Sequence, residues 1–216
     1  MPMVLQRNEE LVDYLVGTGV LKDLNIIRAI SRIDRRNFVA EESKSFAYDD
    51  SALSIGYGQT ISQPTTVAFM MEELKPKEGD KVLDIGYGSG WTTAILASIV
   101  GEKGKVFAFE IIPILKRFGE INVKKYKIEN VNFIEGDGSR GLPSEAPFDR
   151  ILVSAAAPAV PLTLKEQLKI GGRLVIPVGR GSQAIYVIER IGEKAYKKKR
   201  IPGFTFVDLK GKFGNI

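Results

Sequence analysis

Val82-Leu83-Asp84-Ile85-Gly86-Tyr87-Gly88-Ser89-Gly90 runs from an apolar strand straight into a glycine turn and then a helix. Lys81 to Ile85 has the length and composition of a buried strand, and the apolar run after the glycines is helical to about Val100. The glycines are spaced G-x-G-x-G, not G-x-G-x-x-G. This compact turn lets backbone approach a ligand closely but does not by itself fit a pyrophosphate. Asp84, near the strand end, sets a carboxylate where the phosphates of a dinucleotide would be repelled, which favours a ligand with a cationic end. A plain strand-to-helix turn would use the same glycines, so the neighbouring segments decide its meaning.

Toward the C-terminus the chain alternates. Lys105 to Phe109 is a strand, Pro113 to about Tyr126 a helix, and Val131 to Ile134 and Arg150 to Ser154 are two more strands. A helix around 162–168 leads through Gly171-Gly172 into the strand Arg173 to Val178. Alternating βαβ units with buried, non-alternating strands predict a parallel sheet wrapped by helices on both faces. Then the pattern changes: Gln183 to Arg190 and Phe204 to Leu209 read as strands with no helix between them. The fold class is therefore α/β, a Rossmann-like, doubly wound, mostly parallel sheet that ends in an antiparallel hairpin.

Toward the N-terminus, Pro64 suits the first turn of a helix with Ser62 or Gln63 near its cap and Val67, Met70, Met71 and Leu74 on its buried stripe. Residues 46–62, with Tyr48, Asp50, Ile55, Tyr57, Gln59, Thr60 and Ser62 among several glycines, have no clear period and the chemistry of a binding loop. Before them lie two helices. Asn8 is placed to cap the first, with Leu11, Val12, Leu15 and Val16 at helical spacing; the second spans about Asp23 to Ile33. The expected organisation is one domain, 1–216, with a helical and loop extension (1–62) before the core (63–216).

The 216 residues are 44% hydrophobic and 26% charged, ordinary globular usage. The start, MPMVLQRNEELVDYL, carries acids where a secretory signal has a basic region, so a cytoplasmic location is expected, with no membrane span. There is no Cys and no His. A thiolate nucleophile, the usual zinc sites and a Ser-His-Asp triad are thereby excluded, and no metal is expected. Any chemistry must use carboxylates, hydroxyls, amides, Lys, Arg or a cofactor, which favours an electrophile that arrives already activated. The net charge of +5 is too small to argue for nucleic acid.

In an open parallel sheet, ligands bind beyond the carboxyl ends of the strands. Glu110 ends the second core strand, some 20 or more residues beyond the turn, a position from which an acid accepts both hydroxyls of a ribose. Alone it would be an ordinary strand-end charge. Asp137, between Gly136 and Gly138 at the third strand's end, is placed to accept an exocyclic adenine amino group; a plain Asp-Gly turn has the same sequence. Asp84, Glu110 and Asp137 would share one rim.

This combination resembles the class I S-adenosylmethionine-dependent methyltransferases. Ala47-Tyr48-Asp49-Asp50, Ile55-Gly56-Tyr57-Gly58-Gln59-Thr60-Ile61-Ser62-Gln63-Pro64, Phe148-Asp149-Arg150-Ile151-Leu152-Val153-Ser154-Ala155-Ala156-Ala157-Pro158 and Gly171 to Gly179 are similar to motifs of the protein-L-isoaspartate O-methyltransferase family. The resemblance runs from about Asn8 to the C-terminus, with 204–210 similar to the family's closing strand. It implies S-adenosylmethionine as cofactor, isoaspartyl proteins and peptides as partners, and methylation of the isoaspartyl α-carboxylate as the reaction. Ser62 would hydrogen-bond that carboxylate, with Thr60 a second donor. Asp84, Gly86, Tyr87, Gly88, Gly90, Glu110, Asp137 and Gly138 would bind cofactor, and Asp50, Ile55 and Gln59 would shape the substrate loop. Tyr87 stands where the family usually has Thr, Trp91 where Tyr is commoner, and Ala52 where Pro is usual. Thr65-Thr66 stand where relatives tend to carry an aromatic residue or His. The alternatives are an RNA methyltransferase of the same fold and a catalytically weak cofactor-binding homologue. The basic run Lys197-Lys198-Lys199-Arg200 supports the first, although such a run more often marks a solvated hairpin edge.

Overall fold

A computed structural model describes residues 5–214; the first four residues of the MPMVLQRNEELVDYL start lie outside the described residues. Helices α1 (Asn8–Gly17) and α2 (Leu24–Arg32), two short 3-10 turns (Arg35–Phe38 and Glu41–Phe46) and a hairpin of β1 (Leu53–Gly56) and β2 (Gln59–Ile61) precede α3 (Pro64–Leu74). The core continues as β3 (Lys81–Ile85), α4 (Trp91–Val100), β4 (Lys105–Glu110), α5 (Pro113–Lys124), β5 (Val131–Glu135), β6 (Phe148–Val153), α6 (Leu162–Glu166), β7 (Leu168–Val178), β8 (Gln183–Arg190) and β9 (Tyr196–Phe204).

Seven strands form one sheet in the order β5-β4-β3-β6-β7-β8-β9. The first five of that order are parallel, and β8 and β9 are antiparallel. The chain moves outward from β3 to β4 and β5, then returns to β6 on the other side of β3. Connections therefore leave the β3 and β6 tips in opposite directions, opening a crevice at their carboxyl ends.

Burial explains the composition of these strands. Val82, Leu83 and Ile85 of β3 are all buried because helices cover both faces. α4 is apolar almost all round, with Trp91, Ala94, Ile95, Leu96 and Val100 buried, because it lies between the sheet and α2. The facing stripe of α2 is Ile26 and Ile30, and Asp23 caps that helix by accepting from the N–H groups of Asn25 (2.8 Å) and Ile26 (3.3 Å). One apolar cluster runs from Leu11 and Ile30 through Trp91 and Leu96 to Val187, and a second, built on Leu83, Phe107, Phe148 and Leu174, packs the other face.

Two expectations are corrected. Asn8 is not a cap: Arg7 holds that position, and the buried Asn8 amide donates to the carbonyls of Ile30 (2.9 Å) and Ser31 (3.1 Å), fastening α1 to the end of α2. The closing strand is Tyr196–Phe204 rather than 204–209. Its lysines pair in register with β8, Glu189 opposite Lys197 and Val187 opposite Lys199, and charge this sheet edge against further pairing. Residues 205–209 instead leave the sheet and cross the end of β6, bridging Ala156 at Asp208. Among the described residues no helix is long and apolar enough to cross a membrane.

Candidate active site

The crevice holds a cavity at the strand tips. Its floor is Gly86, Gly88, Glu110, Gly136, Ser154 and Ala155 from the strand tips; Gln59, Thr60 and Ser62 wall one side, and Val207 to Lys210 cross over it. Adjacent tips are laced by backbone bonds, Gly86 N–H to Phe109 O (2.8 Å), Ser154 N–H to Ile85 O (2.9 Å) and Gly136 N–H to Glu110 O (3.0 Å).

The glycine turn is shaped by close backbone packing. Gly90 has φ +87°, and a Cβ there would lie 2.7 Å from the carbonyl oxygen of Gly119 in α5; a Cβ on Gly119 would lie 2.6 Å from the Gly88 oxygen. The two glycines let α5 close directly on the turn. Glu110 completes it: one carboxylate oxygen accepts from Gly88 N–H (2.9 Å), the other from Ile112 N–H (2.9 Å), and the side chain lines the cavity. Each oxygen keeps a second lone pair for a ligand hydroxyl.

The other residues singled out around the turn are placed differently. Asp84 is fully buried and absent from the cavity wall. Its Oδ2 accepts from the hydroxyls of Thr93 (2.6 Å) and Thr92 (3.2 Å), while Oδ1 has no partner. Burial pushes its carboxyl up to about 6, against the threonine hydrogen bonds and with help from the charge of Glu110. Tyr87 points away from the cavity: its hydroxyl donates to Lys116 O (2.9 Å), and its ring meets Phe133 edge-on at 5.6 Å. Burial raises its phenol well above the ordinary range. Asp137 is also turned away. It accepts from the N–H groups of Ser139 (2.9 Å) and Lys212 (2.8 Å), so it anchors the C-terminal segment, and Gly136 and Gly138 line the cavity in its place. Burial alone would raise its carboxyl, but the Lys212 and Ser139 bonds hold it below the usual range.

On the loop side, Asp50 holds the start of α3. It accepts from Thr65 N–H (2.8 Å), the Thr65 hydroxyl (2.8 Å) and the Gln63 amide (3.0 Å) and lines neither cavity. Thr65, a departure from the family pattern, is thus Asp50's partner. Ile55 packs over Gly88, where an added Cβ would lie 3.0 Å from its Cδ1.

A groove opens beside this cavity between Ala52, Thr65 and Thr66 on one side and Gly203 to Val207 on the other. Thr60, Ser62, Ser154 and Val207 line both, so the cavity and the groove meet at these four residues. No charged side chain lines the groove.

The sequence profile described as protein-L-isoaspartate(D-aspartate) O-methyltransferase matches residues 6–214. The chain belongs to that family. The protein-L-isoaspartate O-methyltransferase of Staphylothermus marinus is 44% identical over 94% of each chain, and that of Methanopyrus kandleri is 44% identical over 95% of this chain and 92% of its own. A Plasmodium falciparum protein described as a putative protein-L-isoaspartate O-methyltransferase, solved with S-adenosyl-L-homocysteine, superposes with a TM-score of 0.86 at 26% identity, covering 95% of this chain and 99% of its own. As a protein-L-isoaspartate O-methyltransferase family member, the chain is an S-adenosylmethionine-dependent enzyme, and its fold is the one expected from the sequence. Sequence reasoning did not single out Ser154, Ala155 or residues 207–210 as site residues. Ser154 and Ala155 follow the strand beside β3, where the order of strands reverses, and that position was the available signal. Nothing local marks 207–210.

Proposed function

We propose that this chain methylates the α-carboxylate of L-isoaspartyl residues in damaged proteins and peptides, as a repair enzyme of the cytoplasm. The observation that carries this reading is the junction at Thr60, Ser62, Ser154 and Val207, where the cavity at the glycine turn meets a groove lined by uncharged residues. Cofactor fits the cavity on two counts: Gly86 and Gly88 present bare backbone in its lining, and each Glu110 carboxylate oxygen keeps a lone pair beyond its bond to Gly88 or Ile112. When bound, S-adenosylmethionine supplies the activated methyl group and its leaving group together.

The chain's own residues then bind and orient. Glu110 holds the ribose hydroxyls, Gly86 and Gly88 bring backbone to the ligand, Gly90 lets α5 close on the turn, and Gly138 lines the adenine side. Asp84 acts from beneath the turn, holding Thr92 and Thr93 at the start of α4. Tyr87 and Asp137 support the walls from outside the cavity, and Asp50, Ile55 and Gln59 shape the loop. In the groove, the Ser62 hydroxyl donates to the acceptor carboxylate, with Thr60 as second donor. A carboxylate is ionised at neutral pH, its reference pKa being about 4, so no general base is needed and the absence of His is no handicap. Neutral donors in a groove without Lys or Arg orient the oxygen and leave its charge uncancelled. What the site contributes is alignment, which can be worth about 7–11 kcal/mol.

The RNA alternative is not favoured. Holding RNA calls for cations that meet its phosphates, and among the described residues the groove lining has no Lys or Arg. Radiolabelled methyl transfer to an isoaspartyl peptide, run beside its normal aspartyl twin, tests the proposal. Incorporation into the first alone is expected, and binding of cofactor without incorporation would select the non-catalytic homologue.

A further inference from the structure

Arg35 is the one fully buried arginine among the described residues, and every acceptor of its guanidinium is a backbone carbonyl. Nη1 donates to Ala47 (2.5 Å) and Asp49 (3.4 Å), and Nη2 donates to Ser51 (2.9 Å) and to Ser62 (3.2 Å). Burying a charge is costly, and here Nε is left without a partner. Burial lowers the guanidinium to about 10, with Asp50 and Asp49 opposing, so it stays charged at neutral pH. A residue kept charged at this expense, on carbonyls rather than on a carboxylate, fixes the course of the chain around it.

Two elements of the site meet at that guanidinium. The same nitrogen that donates to Ser51 grips the peptide carbonyl of Ser62, a residue that lines both the cavity and the groove. The other side of the guanidinium lies over the Trp91 ring, 5.5 Å from its centre. Trp91 directly follows Gly90 of the glycine turn, and its indole N–H is tied to Ile33 O at 3.2 Å. Arg35 thus spans from the helix that begins at the cofactor turn to the peptide that carries Ser62. A planar fork with donors at fixed angles can hold Ser51 and Ser62 together; the single ammonium of Lys cannot reproduce that geometry.

We infer that Arg35 is a positioning residue for methyl transfer: it sets the Ser62 hydroxyl against the cofactor turn. This rests on the reading in which Ser62 holds the acceptor carboxylate. Misplacing a positioned group by about an ångström costs on the order of 100-fold in rate.

The test compares Arg35→Lys, Ser62→Ala and the double variant in the full-length enzyme, with kcat and KM for an isoaspartyl peptide, Kd for S-adenosylhomocysteine and Tm. Arg35→Lys is expected to lower kcat by about 10- to 100-fold with S-adenosylhomocysteine affinity preserved, and to add no further loss on top of Ser62→Ala. A core variant, Leu15→Ala, matched in lost Tm, is expected to keep kcat. Arg35→Lys with unchanged kcat, losses that multiply in the double variant, or an equal kcat loss in Leu15→Ala would each overturn the inference. Unchanged kcat in Ser62→Ala would instead sink the assignment of Ser62 itself. Should Arg35→Lys not fold, NMR of the wild-type protein replaces it: slow rotation of the Arg35 Nη groups is expected, and free rotation would overturn the clamp.

Discussion

Glu110 at the tip of β4 accepts the backbone N–H of Gly88, in the turn after β3, at 2.9 Å. The acid that closes one strand therefore sets the shape of the loop that follows its neighbour. The arrangement gives Glu110 two tasks: it holds the glycine turn, and with its remaining lone pairs it faces the cavity.

Glu110→Ala should weaken cofactor binding and destabilise the apo protein together. It removes charge-assisted bonds to Gly88 and Ile112, each worth about 1.5–3 kcal/mol. Titration calorimetry with S-adenosylhomocysteine should show affinity lower by about tenfold or more, since each 1.4 kcal/mol is a factor of ten. Preserved affinity would remove Glu110 from the ligand site.

Ser62→Ala should separate turnover from binding. Ser62 lines both the cavity and the groove, so kcat should fall by about 10- to 100-fold while cofactor affinity and Tm hold. Steady-state kinetics on an isoaspartyl peptide reads this directly, and equal turnover would refute the role.

Gly119→Ala puts two effects in opposition. In a free helix the change should stabilise by about 0.5–1 kcal/mol. Here the new Cβ would sit 2.6 Å from the Gly88 oxygen and 2.7 Å from the Tyr87 ring. Backbone on one side and a buried ring on the other leave little room to yield, so overpacking wins, with a net loss of about 1–3 kcal/mol in denaturant unfolding and weakened cofactor binding. A gain in stability would show that α5 and the turn are not locked together.

The order of the parallel strands was legible because each is a short, mostly apolar, non-alternating run, and β3, α4 and β8 begin and end where the sequence places them. β9 was not. Tyr196-Lys197-Lys198-Lys199-Arg200 has no alternation, since an edge strand is wetted along its length, whereas Phe204-Thr205-Phe206-Val207 alternates like a strand and is used as a cover for the site. The site divides the same way. Backbone-directed features (the glycines, Glu110 at a strand tip, the Ser62 loop) follow from local sequence. Side-chain direction does not: Asp84, Tyr87 and Asp137 sit on the right rim yet turn toward Thr93, Lys116 and Lys212. Arg35 was invisible because its partners lie 12 to 27 residues away.

Asp84 makes stability depend on pH. Its carboxyl ionises near about 3.9 in an unfolded chain and at about 6 in the fold. The fold therefore favours the protonated form, and the associated stability is fully present below about pH 4 and lost as pH rises through about 6. Asp84→Asn, which cannot ionise, should lack this loss: relative to the variant, wild type should become less stable between about pH 4 and 6, then level off. Urea unfolding of both proteins across that range checks the sign, and a relative gain for wild type with rising pH would contradict it.

The most direct measurement is mass-spectrometric mapping of the methylated carboxyl group in a peptide that carries an isoaspartyl residue together with Asp and Glu. The account predicts methyl on the isoaspartyl α-carboxylate alone. Methyl on the Asp or Glu side chains, or none with cofactor bound, would contradict it.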